Sequence, residues 1–193
     1  MKTPLIALVS LLFFGLSVGH SLATDYDGQT ITGNYQETNF TGSTFVGSTL
    51  IGELSGFQDC NFSGDNMQGV QLLAPGTSSW QQADFFKADL QFAVIDASGL
   101  SSWQGAEFND ANLEGVHFEN LGATAFETAS FSGALIDSST IFWDGKNYQT
   151  TSFDWKSAGL VVVPEPSCVV LFLAGVGLIL FCLSRRSRAI PNI

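Results

Sequence analysis

Few side chains in this chain could carry out a reaction, and they are widely scattered. Past residue 23 the single histidine is His117, and Cys60 is the one cysteine before the carboxy-terminal pair Cys168 and Cys182. A Cys–His nucleophile or a His/Cys metal site would need Cys60 and His117 to converge. Asp84 and Glu107, with Asp89 nearby in the pattern, offer the paired carboxylates that glycoside hydrolysis uses. The many Asp, Asn and Glu oxygens could serve calcium, which takes six to eight such ligands, although no Asp-x-Asp-x-Asp-Gly loop is present. Trp80 and Trp103 could floor a sugar-binding groove. Each reading depends on what positions these residues.

The positioning element is a short repeat. Bulky apolar residues fall at every fifth position in five groups of four. These are Tyr35, Phe40, Phe45, Leu50; Phe57, Phe62, Met67, Leu72; Trp80, Phe85, Leu90, Ile95; Trp103, Phe108, Leu113, Phe118; and Phe126, Phe131, Ile136, Ile141. Two residues before each stands a small or β-branched residue, for example Ala83, Ala88, Ala106 and Ala111, with Asp65 the one exception. A period of five fits neither the 3.6 of a helix nor the 2 of a strand. A longer period is nested over it, because Phe57, Trp80, Trp103 and Phe126 are 23 residues apart. Four pentads take 20 of these, leaving the spacers Pro75-Gly76-Thr77, Ser98-Gly99-Leu100, Leu121-Gly122-Ala123 and Asp144-Gly145-Lys146. A central glycine in each predicts an extra tight turn at positive φ. The first spacer is the shorter Glu53-Leu54.

The units Ala83-Asp84-Phe85, Ala88-Asp89-Leu90, Ala106-Glu107-Phe108, Ala111-Asn112-Leu113 and Cys60-Asn61-Phe62 resemble the motif of pentapeptide-repeat proteins. The resemblance implies an all-β fold, a right-handed quadrilateral β-helix of about five coils in which each pentad is one side of a square. The bulky central residue and the small one two before it then point inward. Successive coils lie about 4.8 Å apart, so Tyr35, Phe57, Trp80, Trp103 and Phe126 form one stack and Phe40, Phe62, Phe85, Phe108 and Phe131 the next. The tryptophans become core rungs rather than a groove. An incomplete coil through Thr30 is expected before the repeat. A stacked solenoid needs capped ends, and Asn147 to Leu160, with Tyr148, Phe153 and Trp155, supply the carboxy-terminal one.

In this frame the chemistry recedes. Cys60 takes an inward slot, where a thiol is inert, while His117 points outward two coils later. The acids at 84, 89 and 107 share a repeat position with Asn39, Asn61, Asn66 and Asn112, as a solvated outer face would. No enzyme, metal site or cofactor is expected. Asp65, a carboxylate at an inward slot, predicts a local distortion of the coil.

The two ends read as addresses. Residues 1–23 carry Lys2, an apolar run from Leu5 to Val18 and the small-residue exit Ser21-Leu22-Ala23, the layout of a signal peptide cleaved after Ala23. At the other end Val163-Pro164-Glu165-Pro166-Ser167 precedes an apolar run over 168–183 and then Arg185, Arg186 and Arg188. Sixteen helical residues span about 24 Å, a minimal membrane crossing, and the arginines form its cytoplasmic anchor. The order of the three parts resembles the PEP-CTERM sorting signal of exosortase substrates. The resemblance implies recognition of Pro164, Glu165 and Pro166 by an exosortase-like protease and removal of the helix; the alternative is a permanent membrane anchor. The organisation is thus signal peptide 1–23, lead-in 24–32, repeat 33–146, cap and linker 147–162, sorting signal 163–188 with its transmembrane helix, and tail 189–193.

Between the two addresses stand three lysines and no arginine against 17 acids, a net charge of −14. Such a surface repels phosphate, which excludes nucleic-acid binding by charge neutralisation. The expected partners are signal peptidase, the exosortase-like protease and the cytoplasmic membrane, with exopolysaccharide a candidate. The expected function is that of an exported, non-enzymatic cell-surface or extracellular-matrix protein. The alternatives are a carbohydrate-binding or carbohydrate-active surface protein, and a DNA-mimic inhibitor of a DNA-binding enzyme, which export disfavours.

Overall fold

The computed structural model describes residues 23–96, 98–119 and 125–164. Residues 1–22 of the signal peptide, the 168–183 run, Glu165, Pro166, Arg185, Arg186 and Arg188 lie outside the described residues. Among the described residues there is no helix, hence none long and apolar enough to cross a membrane. The chain is an all-β solenoid of about six turns.

Most rungs are too short to count as strands, so the backbone pairing shows the architecture best. Along one side the amide of Phe62 donates to Asp84 O (2.7 Å), that of Asp84 to Cys60 O (2.9 Å), and that of Phe85 to Glu107 O (2.7 Å). Every such bond joins residues one coil apart, so each coil templates the next. On one face the rungs lengthen into a five-stranded parallel sheet of β1 (Thr30–Thr32), β2 (Thr49–Ile51), β3 (Gln71–Leu73), β4 (Val94–Asp96) and β5 (His117–Glu119). Its register aligns Ile31, Leu50, Leu72, Ile95 and Phe118 in one inward column. A second, two-stranded sheet pairs β6 (Leu135–Ile136) with β7 (Val161–Val162).

The corners follow from the pentad. The amides of Ala83, Ala88 and Ala93 donate to Trp80 O, Phe85 O and Leu90 O at 3.0–3.1 Å, closing a turn from each central residue to the next small one. The third turn residue is left-handed: Gln82, Lys87 and Phe92 have φ of 58°, 58° and 60°. Positive φ at that position is the mark of a type II turn. Other coils place glycine there, as at Gly42, Gly47, Gly64, Gly69, Gly105, Gly115 and Gly133.

The aromatic columns stack as the repeat predicts. Phe62, Phe85 and Phe108 lie with centroids 5.2 and 5.0 Å apart and planes within 5°; Trp80 and Trp103 are 5.0 Å apart at 2°. All five rings are fully buried. Each Trp also needs an acceptor for its indole N–H when buried, and Nε1 of Trp80 and Trp103 donates to Leu73 O (3.2 Å) and Asp96 O (3.4 Å), carbonyls at the end of the preceding face.

Three details differ from the periodic expectation. First, the last pentad carries an extra residue. Ile141 pairs with His117 and Phe142 occupies the core, stacked on Phe118 at 6.0 Å, with Thr140 rather than Ser139 as its small partner. The cause is Asp137, whose Oδ1 accepts the amides of Ser139, Thr140 and Gly115 and holds a wider corner. Second, the lead-in coil turns inward at Tyr26, stacked on Phe45 at 4.9 Å, and at Ile31, while Thr30 faces out. Third, at Gly76 and Gly99 the spacer corner is built differently from the tight glycine turn expected, whereas Gly145 in the last spacer has the expected positive φ of 72°. Gly76 and Gly99 are absent from the left-handed residues; Ser78 and Ser101 take φ of 59° and 51° instead. The glycines are needed for close approach, since a Cβ on Gly99 would overlap the Gly76 carbonyl oxygen of the coil before. Ser79 and Ser102, one residue before each tryptophan, become the buried small residues here, and their hydroxyls donate to Gly76 O (2.9 Å) and Gly99 O (3.0 Å).

The carboxy-terminal end of the column is covered. Phe153 packs on Trp143 at 4.5 Å and on Phe142 at 5.4 Å, Leu160 is buried, and β7 adds its rung on the Ile136 face.

Candidate functional surface

Because the bore is filled with side chains, any function lies on the outward positions. Where the residue just before a central apolar one is Asp or Asn, as at positions 39, 61, 66, 84, 89 and 112, it lies on the outer face. Its side chain is spent on its own corner. Asp84 Oδ1 accepts the amide of Phe86 (2.8 Å), Asp89 Oδ1 that of Gln91 (3.3 Å), Asn61 Oδ1 that of Ser63 (2.8 Å) and Asn112 Oδ1 that of Glu114 (3.2 Å). These are Asx-type turns, which satisfy a corner amide that no coil neighbour reaches. Asp or Asn at this position therefore serves the fold.

Asp84 and Glu107 are paired on adjacent rungs, and Asp89 pairs with Asn112 on the next face. One oxygen of Asp84 is engaged by the backbone, and Asp89 Oδ2 accepts Gln68 Nε2 (2.6 Å). The same ladder logic joins Gln91 Nε2 to Glu114 Oε2 (2.5 Å) and Gln81 Nε2 to Gln104 Oε1 (2.8 Å). Side-chain amides thus bridge coils along the column, parallel to the backbone bonds beneath them.

Cys60 and His117 do not meet. The thiol is buried at an inward slot, donates to Tyr35 O (2.9 Å), and burial pushes its pKa up to about 12, while His117 is exposed two coils on. Among the described residues no group of three His, Cys, Asp or Glu side chains converges to hold a metal ion. Trp80 and Trp103 are completely enclosed, so they form no sugar groove. Ala23 and Pro164 stand exposed at the two limits of the described residues.

Asp65 departs from expectation. The coil is not distorted: its amide donates to Phe62 O (3.1 Å), its carbonyl accepts the amide of Asp89 (2.9 Å), and the carboxyl group points into the bore at 1% exposure. Oδ1 accepts the Ser43 amide (3.0 Å), whereas Oδ2 is buried without a hydrogen-bond partner. Burial raises its pKa to about 7, against the opposing pull of the Gly42 and Ser43 amides. Ala88, Ala111 and Ala134 stand at this slot in later coils.

Two outward aromatics escape the repeat rule altogether. Phe92 is 66% exposed and Phe86 39%, on the same coil, with Asp89 and Gln91 between them on the outer face. Lys87 Nζ sits 4.8 Å from the Phe86 ring centre, and the Phe92 ring leans over Gly115, where a Cβ would meet it at 2.6 Å. Both fall at positions that other coils fill with Thr, Ser, Asn or Gly, and that break in pattern was visible in the sequence.

No family model matches the chain, and no curated protein matches it. Among solved structures it is similar to a pentapeptide repeat protein from Nostoc Pcc 7120, at 23% identity and a TM-score of 0.24 over 72% of this chain and 84% of that one. It is similar also to QnrB1, a plasmid-mediated fluoroquinolone resistance protein, at 14% and 0.28 over 79% and 98%. A pentapeptide repeat protein of the Arabidopsis thaliana thylakoid lumen matches at 20% and 0.21 over 65% and 86%. The fold assignment rests on the repeat and its pairing, not on these likenesses.

Proposed function

We propose that the chain is an exported pentapeptide-repeat protein of the cell surface or extracellular matrix, non-enzymatic, presenting a rigid acidic column to its surroundings. One observation carries the reading: the outward carboxylates best placed for chemistry, Asp84 and Asp89, are spent on their own corners. What remains for the environment is shape and charge, a net of −14 over residues 24–163. The address comes from the ends, a leader exiting at Ala23 and the Pro164-Glu165-Pro166 motif with its apolar run and arginines. In this reading signal peptidase and an exosortase-like protease act on the chain, the membrane holds it in transit, and exopolysaccharide is its candidate neighbour. Cell fractionation tests it: the protein is expected with the envelope or the medium, and a full-length cytoplasmic pool contradicts it.

A second reading, carbohydrate binding, is favoured by the exposed pair Phe86 and Phe92 flanking Asp89 and Gln91. Aromatic faces beside planar hydrogen-bonding groups suit a sugar's apolar and hydroxyl edges. A polysaccharide array comparing wild type with Phe92→Ala separates the two, since a matrix column without sugar recognition shows no difference between them.

A further inference from the structure

Among the described residues Asp65 is the one acid in the bore, and neither reading of the surface uses it. We infer that Asp65 is a built-in proton-linked device: held neutral it lets the amino-terminal coils stack tightly, and on ionising it loosens them.

The geometry supplies the argument. The inward column on its face runs Ser43, Asp65, Ala88, Ala111 and Ala134, all buried. Phe62 and Met67, fully buried, precede and follow it on its own coil. Oδ1 has the Ser43 amide, and Oδ2 has nothing. A carboxylate there would bring a negative charge into an apolar bore with half its acceptor capacity empty.

No neighbouring charge offsets this. On the adjacent face of the same coil stand Cys60, itself buried and neutral, and the half-buried acid Asp59. On the following coil Asp84, Lys87 and Asp89 stand at outward positions, and Lys87, the one cation of the three, lies over Phe86. On the preceding side Asp25, Asp27 and Glu37 are exposed acids, and the rings of Tyr26 and Tyr35 pack against the core. Apart from Lys87, which is turned outward over Phe86, the surroundings are apolar or anionic, and both disfavour ionisation.

The direction of the effect follows from linkage. An acid whose folded pKa is raised to about 7 from an ordinary 3.8 gives stability that is complete below about pH 4. That stability is lost progressively as pH rises to about 7, and no more is lost above it. Local opening of the coils that bury Asp65 should therefore increase about tenfold per pH unit across that window, up to about a thousandfold in all. The Ser43 amide keeps a partner when the carboxyl is removed, since it also donates to Phe40 O (3.0 Å).

Amide hydrogen exchange of the full chain tests this between about pH 4 and pH 9, corrected for the intrinsic chemistry of exchange. Wild type is compared with Asp65→Asn and Asp65→Ala, the latter being the residue of the three later coils. The expected result is an opening constant for residues 38–67 that rises through the window and then levels in wild type, and is flat in both variants. The same rise in Asp65→Asn would overturn the inference. A carbon-13 titration of the Asp65 carboxyl in wild type decides independently of how the variants fold. A midpoint near 7 supports the device, and one near the ordinary 3.8 refutes it.

Discussion

Replacing Phe85 by alanine is the sharpest test of how the column is held together. The ring is fully buried, stacked between Phe62 at 5.2 Å and Phe108 at 5.0 Å, and tilted against Trp80 and Trp103 at 6.1 and 6.0 Å. Truncating a core phenylalanine costs about 3–5 kcal/mol in transfer and cavity terms. Two parallel ring contacts are lost as well, each worth about 0.5–1.5 kcal/mol beyond area. The upper part of that range, about 5 kcal/mol, is expected, because backbone bonds to both neighbouring coils keep the cavity from collapsing. Phe85→Leu keeps most of the volume and should cost about 2 kcal/mol. Phe86→Ala, one residue on, removes an outward ring and its contact with Lys87, and should cost no more than about 1 kcal/mol. Urea denaturation followed by tryptophan fluorescence reads all three, since Trp80 and Trp103 flank the site. In a solenoid stabilised by nearest-neighbour interfaces, Phe85→Ala should also broaden the transition as the two halves uncouple. Equal destabilisation by Phe85→Ala and Phe86→Ala would refute the inward and outward assignment.

Other outcomes follow from the same geometry. Gly99→Ala should destabilise by more than about 2 kcal/mol, because its Cβ would overlap the Gly76 carbonyl oxygen, whereas Gly69→Ala has open space and bears only the cost of a left-handed alanine, about 1 kcal/mol; thermal melts of the two rank them. Cys60, with its pKa pushed up to about 12 by burial, should resist thiol-reactive probes in the folded protein and react on unfolding; labelling followed by mass spectrometry checks this. Asp84→Asn should retain the corner bond to the Phe86 amide and be near neutral, while Asp84→Ala should lose about 1 kcal/mol in urea titrations.

The inward columns were legible because a single spacing governs them: once Phe62, Phe85 and Phe108 are seen 23 apart, stacking is forced by the coil repeat. Departures arise where a side chain overrides the period. Asp137 gathers three amides and widens the last corner, which moves the core position from Ile141 to Phe142. At the spacer, glycine identity was legible but its reason was not, since close approach between Gly76 and Gly99 depends on two coils at once. The left-handed corner was written in plain view at Gly42, Gly64 and Gly133, two residues past each central phenylalanine. Asp65 could be flagged from its slot, but its accommodation depends on the Ser43 amide reaching across from the preceding coil, a pairing visible only in three dimensions. The outward carboxylates read as a solvated face, and Asp84 and Asp89 prove to hold their own corners as well, a role that the spacing of acids along the chain does not reveal.

The central claim, an exported column that sheds both of its addresses, is tested most directly by the intact mass of the protein recovered from the cell envelope or medium. The expected species begins at Thr24 and ends within residues 164–167, retaining the whole repeat and its cap. A surface species that still carries residues 168–188 would replace sorting with a permanent anchor, and a mass for all 193 residues in the cytoplasm would contradict the account.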